Sequence, residues 1–159
     1  MRKLLLAGLI LCSYFASAQL SAIKCGKLID GKNDQPLLNK AILIEGNTIK
    51  DIVEQSAIPR TATVIDWNNK TVLPGLIDCH THVLLQGDIT AEDYNEQLLK
   101  ESIPYRTLRA SVACKIALMN GFTTIRDLET EGAMYADVDL KKAINNNVIP
   151  GPRMIVTTR

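Results

Sequence analysis

The pattern of apolar and polar positions changes character once along this chain. Up to residue 73, apolar residues come in short runs broken by turn formers; beyond it, such runs alternate with stretches at helical spacing. The first part reads as strands over 21–30, 40–45, 48–53, 62–67 and 71–73. Asp30-Gly31-Lys32-Asn33-Asp34 reads as a turn, Gly46-Asn47 as a hairpin loop and Asn68-Asn69 as a further turn. Short strands at that spacing predict a small β-sandwich or sheet over residues 19–73. Five such strands bury little on their own and need a partner surface.

Pro74-Gly75 marks the change of period. Residues 75–82 read as a fully buried strand of the parallel-sheet kind. Thr90, with Asp93 three residues on, reads as a helix start that turns Tyr94, Leu98 and Leu99 inward. Pro104 restarts the helix, and Leu108, Val112, Ile116 and Met119 form one apolar stripe. Asn120-Gly121 stops it. A second buried strand follows over 122–128. Next comes a helix over 133–144, with Leu140, Ala143 and Ile144 on one face. Pro150-Gly151-Pro152 breaks the chain before a third strand at 154–157. Strands alternating with helices predict an α/β unit over residues 74–159, its parallel strands joined by helical crossovers.

Residues 1–18 change the picture of where the chain goes. Arg2 and Lys3 precede an apolar run from Leu4 to Phe15, and Ala16-Ser17-Ala18 is a small-x-small cleavage site. This is the pattern of a secretory signal peptide. The run is shorter than the roughly 20 residues of a spanning helix. The expectation is an exported protein, periplasmic or extracellular, with no membrane span after cleavage. Losing two basic residues leaves 16 basic against 17 acidic. With no block of like charge either, nothing points to nucleic acid. Of four cysteines, Cys25, Cys79 and Cys114 lie beyond the leader. Their spacing matches no zinc or redox motif. Each sits among apolar neighbours, and the expectation is buried structural thiols, with one disulfide as the alternative in an oxidising compartment.

The candidate chemistry is concentrated in residues 72–82, Val-Leu-Pro-Gly-Leu-Ile-Asp-Cys-His-Thr-His. His80 and His82 are the only histidines in the chain. Side chains alternate faces along a strand, so the two imidazoles point the same way, and Asp78 joins them. Paired imidazoles at a strand end could share a metal ion. The competing explanation is two neighbouring histidines with no ligand, which the pair alone does not exclude.

The longer run from Leu73 to His82 resembles the entry signature of the amidohydrolase superfamily, in the branch of imidazolonepropionase-like enzymes and metal-dependent Xaa-Pro dipeptidases. Gly121-Phe122-Thr123-Thr124-Ile125-Arg126-Asp127 resembles its second barrel strand, and residues 149–154 the entry to the third. The N-terminal strands resemble the small β-domain that precedes the barrel. The resemblance implies a β-sandwich-like domain followed by the first three strands of an incomplete (β/α)8 barrel. It implies that His80 and His82 are metal ligands, with Asp78 in a supporting role that orients a ligand; Asp127 is either a group of the same kind or part of a structural Arg126–Asp127 pair. It also implies a divalent metal, zinc by preference, as one or two ions in a complete enzyme.

By that resemblance, a metal-activated water attacks an amide or related C–N bond of a small-molecule amide or dipeptide. A complete family site draws further ligands from later strands. A (β/α)8 barrel takes about 250 residues, and residues 75–159 number 85. The expectation is a fragment with no catalytic residue of its own, inactive as it stands. Two alternatives are a short non-catalytic binding or assembly protein derived from the fold, and a degenerate product that does not fold stably.

Overall fold

The computed structural model describes residues 19–87 and 93–158. The leader expected at 1–18 and the helix start expected at Thr90 lie outside them. The chain divides into two compact units, the first ending at Pro74 and the second beginning at Gly75.

The first unit is one four-stranded sheet. Its strands are β1 (Leu20–Leu28), β2 (Leu37–Glu45), β3 (Thr48–Glu54) and β4 (Thr63–Val72). Their order across the sheet is β3-β2-β1-β4. Asp30 shapes the first turn, its carboxylate accepting from the backbone N–H groups of Lys32 and Asn33 at 3.0 Å each. Gly46, at φ 58°, makes the β2–β3 hairpin. β1 pairs antiparallel with β2 but parallel with β4. Cys25, Leu28 and Ile42 form the buried centre, flanked by Ile23, Leu37, Ile44 and Val72.

Two expectations change here. The described residues of this unit form a single sheet and not the sandwich-like domain that the resemblance implies, and Val64, Ile65 and Trp67 stay about two-fifths exposed. The turn expected at Asn68-Asn69 does not form either; the strands expected over 62–67 and 71–73 run together as one, β4 (Thr63–Val72). The irregularity there is taken up by a bulge in the pairing, between Cys25 and Lys27. Gly26 permits it, because a Cβ at that position would lie 2.0 Å from the Asn68 carbonyl oxygen. Two polar residues in a row are therefore absorbed as a bulge in a paired strand.

The second unit runs β5 (Leu76–Thr81), α1 (Asp93–Leu99), α2 (Ile103–Met119), β6 (Phe122–Asp127), α3 (Ala136–Asn145) and β7 (Arg153–Val156). Its three strands are all parallel, in the order β5-β6-β7. The Ser102 hydroxyl caps α2 by accepting from the Tyr105 N–H at 3.4 Å, and Pro104 fits its first turn. Gly121, at φ 93°, ends the helix in the conformation that favours glycine. The core gathers Ala110 and Cys114 of α2, Ile125 of β6, Leu140 of α3 and Met154 of β7. As expected, α3 turns Leu140 inward, with Ala143 and Ile144 partly buried beside it.

The helix α2 departs from its predicted orientation. Leu108, Val112, Ile116 and Met119 are all more than half exposed, while Arg106, Ala110 and Cys114 are buried. At about 100° per residue, Leu108 and Ala110 lie on opposite sides of the helix. The small residues face the sheet and allow close approach. In α1, Leu99 is exposed and Gln97 is the buried residue. The strand β5 is not fully buried: it is an edge of the three-stranded sheet, and Ile77 is 64% exposed. Cys79 is exposed for the same reason, whereas Cys25 and Cys114 are buried; all three are free thiols.

Candidate functional site at the strand ends

In the parallel sheet, β5 ends at Thr81 and β6 at Asp127, opposite each other in register. The loops that follow both strands therefore leave from the same edge, where sites in parallel α/β structures form. Strand parity places the imidazoles together, with His80 Nε2 and His82 Nε2 3.3 Å apart. Their ring centroids are 5.3 Å apart at an interplanar angle of 61°. Two imidazoles bound tetrahedrally to one zinc at about 2.0–2.1 Å would hold their nitrogens about 3.3–3.4 Å apart. The donor pair therefore fits a shared ion. Among the described residues, no third histidine, cysteine or carboxylate completes a cluster of ligands.

The two aspartates bond to backbone N–H groups and a hydroxyl. The Asp78 carboxylate accepts from the His80 backbone N–H at 3.0 Å, fixing the strand end but not the ring. Asp127 is fully buried. Its Oδ1 accepts from the Val83 N–H at 2.8 Å and from the Thr81 hydroxyl at 3.4 Å. It thus ties the β6 end to the β5 end on both sides of His82. Its Oδ2 is buried with no partner among the described residues. Burial pushes the Asp127 carboxyl up to about 6; the Asp137 charge adds to this, while the Val83 N–H works against it.

Three further residues have no site role in the sequence reading. Arg106 is 2% exposed and pairs with carbonyls only. It donates from Nε to Leu84 (3.2 Å), from one terminal nitrogen to Glu131 (3.0 Å) and from the other to Thr130 (3.1 Å). One guanidinium thereby spans the loop after β5 and the loop after β6. Glu131 stands with Oε1 3.6 Å from His82 Nδ1, and its Oε2 accepts from the Tyr94 hydroxyl at 3.2 Å. The four-residue spacing of Arg106 with Ala110 and Cys114 was a readable hint of burial. Glu131 gave no such sign, and Tyr94, expected to turn inward, gave no sign of its partner, because their meeting brings together a helix and a loop 37 residues apart.

Gln97 closes the same face. Its amide oxygen accepts from the Gln86 N–H at 2.9 Å, and its amide nitrogen donates to the Gln86 carbonyl at 2.5 Å. A cavity of about 440 Å³ opens beside His82, lined also by Asp78, Thr81, Phe122, Ile125 and Ile116. It offers a largely apolar wall beside His82.

The family model for the amidohydrolase family matches residues 71–158, more than half of the chain. The chain belongs to the amidohydrolase family. An imidazolonepropionase of Streptomyces avermitilis is 30% identical over 102 residues, covering 64% of this chain and 23% of that protein. A solved Xaa-Pro dipeptidase with methionine bound in its active site has a TM-score of 0.76 and 30% identity, over 89% of this chain and 34% of that one. The ochratoxinase of A. niger gives a TM-score of 0.70 and 31% identity, over 88% of this chain and 31% of that one. The chain spans about a quarter of the imidazolonepropionase and about a third of the two solved structures.

Proposed function

We propose that this chain carries the first part of a metal-dependent hydrolase that cleaves C–N bonds, its substrate a small amide, a cyclic amide or a dipeptide. The observation that carries this is the convergence of His80 Nε2 and His82 Nε2 to 3.3 Å at the end of a parallel strand. Family membership supports the reaction class, and the relatives support the substrate class. The three-stranded sheet is then the opening arc of a (β/α)8 barrel, with its further ligands outside this chain. The expected leader supports export to the periplasm or beyond the cell.

A divalent ion, zinc by preference for a nitrogen-rich site, supplies a water acidified toward neutrality and a Lewis acid for the scissile carbonyl. The chain's own residues do the rest. His80 and His82 hold the ion. Asp78 and Asp127 fix the backbone on either side of them.

The reading is tested by assaying the native protein on Xaa-Pro dipeptides, N-acyl amino acids and cyclic amides, before and after chelation and on return of zinc. Hydrolysis that disappears with the metal, returns with zinc and is lost in H80A/H82A is the expected result. Turnover indifferent to chelation would overturn it. Zinc binding without turnover on any substrate would favour the non-catalytic binding protein.

A further inference from the structure

Among the described residues, Glu131 is the one carboxylate within 4.0 Å of an imidazole nitrogen. Three independent features hold it there. Its backbone is left-handed at φ 50°, a region that non-glycine residues seldom adopt. Arg106 grips that backbone through the carbonyls of Thr130 and Glu131, and grips the His82 loop through Leu84. Tyr94, from α1, donates its hydroxyl to Oε2 and so aims Oε1 at the ring. Facing Oε1 is His82 Nδ1, which is buried and lacks a hydrogen-bond partner among the described residues. Asp78 is bonded to the His80 N–H, and Oδ1 of Asp127 to Val83 and Thr81.

We propose that Glu131 is a positioning residue for His82: its carboxylate takes the Nδ1–H of the imidazole and fixes the tautomer that leaves the Nε2 lone pair beside His80 Nε2. The inference rests on the proposed metal site for its purpose, though not for its geometry. An imidazole whose other nitrogen is held by a carboxylate is oriented, and is a more basic ligand. The 3.6 Å separation is longer than a hydrogen bond and closes to one with a small turn of the ring. Tyr94 makes the device two-sided. The Glu131 charge pushes the Tyr94 hydroxyl up, so it stays a donor. A segment that lies over the strand ends is in this way connected to the orientation of one ligand.

The test reads the ring directly. Long-range ¹⁵N–¹H spectra of the metal-free whole chain, at about pH 8 where histidine is ordinarily neutral, report the His82 tautomer; zinc titration reports affinity. The expected result is a single Nδ1–H form in the unmodified protein and mixed tautomers in E131A. Zinc affinity should fall about 10–100-fold in E131A. E131Q keeps a carbonyl oxygen and should hold the tautomer with a smaller loss of affinity. Y94F, which removes only the hydroxyl, should lose affinity about threefold or more with the fold intact, a small share of that range.

An unchanged tautomer and unchanged affinity in E131A would overturn the proposal. So would loss of affinity confined to variants that also unfold, with E131Q and Y94F as unmodified protein. A tautomer that shifts in E131A while the unmodified chain binds no zinc would uphold the positioning and sink the metal site. Zinc held through His80 and His82 with E131A indifferent would do the reverse.

Discussion

At the scale of single residues, one rule of geometry did most of the predictive work. Alternation along a strand put His80 and His82 on one side, and their Nε2 atoms lie 3.3 Å apart. Other residues act through contacts that only the fold creates. Gly75 passes so close to β6 that a Cβ there would meet Thr123 Oγ1 at 2.1 Å and Cγ2 at 2.3 Å. G75A should cost about 1–3 kcal/mol, the usual range for overpacking, read from urea unfolding. T123A, which removes both of those atoms, should recover part of the loss; an unaltered midpoint in G75A would show that β5 and β6 do not approach this closely.

Asp127 makes a pH-dependent prediction. Its carboxyl lies near 3.8 ordinarily and at about 6 in the fold. The folded state therefore keeps its proton where the unfolded chain has released it. Stability falls as pH rises between about 4 and about 6, and the contribution is flat beyond both limits. D127N removes this titration while keeping an oxygen for the Val83 N–H. Comparing urea midpoints of the metal-free chains, D127N should gain on the unmodified protein from pH 4.5 to 6.5, values chosen to lie roughly across that window. A constant difference across that window would mean that the buried carboxyl is not what titrates.

At the scale of elements, existence was legible and orientation was not. Turn residues and capping signals placed α2 and α3 and most strands within a few positions. Gly121 ended α2 as a glycine at that place should. The face that α2 buries was misread because apolarity was counted and size was not. Ala110 and Cys114 let the helix approach the sheet, and Leu108, Val112, Ile116 and Met119 remain outside. The Asn68-Asn69 pair reads as a turn, since nothing local shows that β4 bulges there, opposite Gly26 of β1. Arg106 is the consequence of greatest weight. R106M keeps the bulk of the side chain and leaves three carbonyls without their donor, which should cost about 3 kcal/mol. Hydrogen exchange should quicken first at the Val83–Gln86 and Thr130–Ala133 amides. Exchange that quickens uniformly would argue against a clasp between the two loops.

At the scale of the whole molecule, the change of pattern at Pro74-Gly75 coincides with the division between two compact units. The α/β character of the second followed from its alternating elements, and the family from the run between Leu73 and His82. What stayed hidden is what long-range contact decides: the second unit's strand β5 at a sheet edge, and with it the exposure of Cys79. That exposure is directly measurable. In folded residues 19–159, which lack Cys12, Cys79 should react at once with a thiol reagent, while Cys25 and Cys114 react only on unfolding. Burial raises the Cys25 thiol and pushes the Cys114 thiol up to about 11. C79S should abolish the fast phase, and a fast phase that survives it would mean that another thiol is open.

The central claim is that two imidazoles on one strand end hold a metal ion together. Calorimetric titration of zinc into the chelator-stripped whole chain, beside H80A, H82A and the double variant, tests it most directly. Saturable binding by the unmodified chain is expected, with each single variant weakened by more than about 100-fold, beyond the 10–100-fold loss that mutating a group outside the coordination sphere brings, and no binding in the double variant. Equal affinity in all four proteins would contradict it.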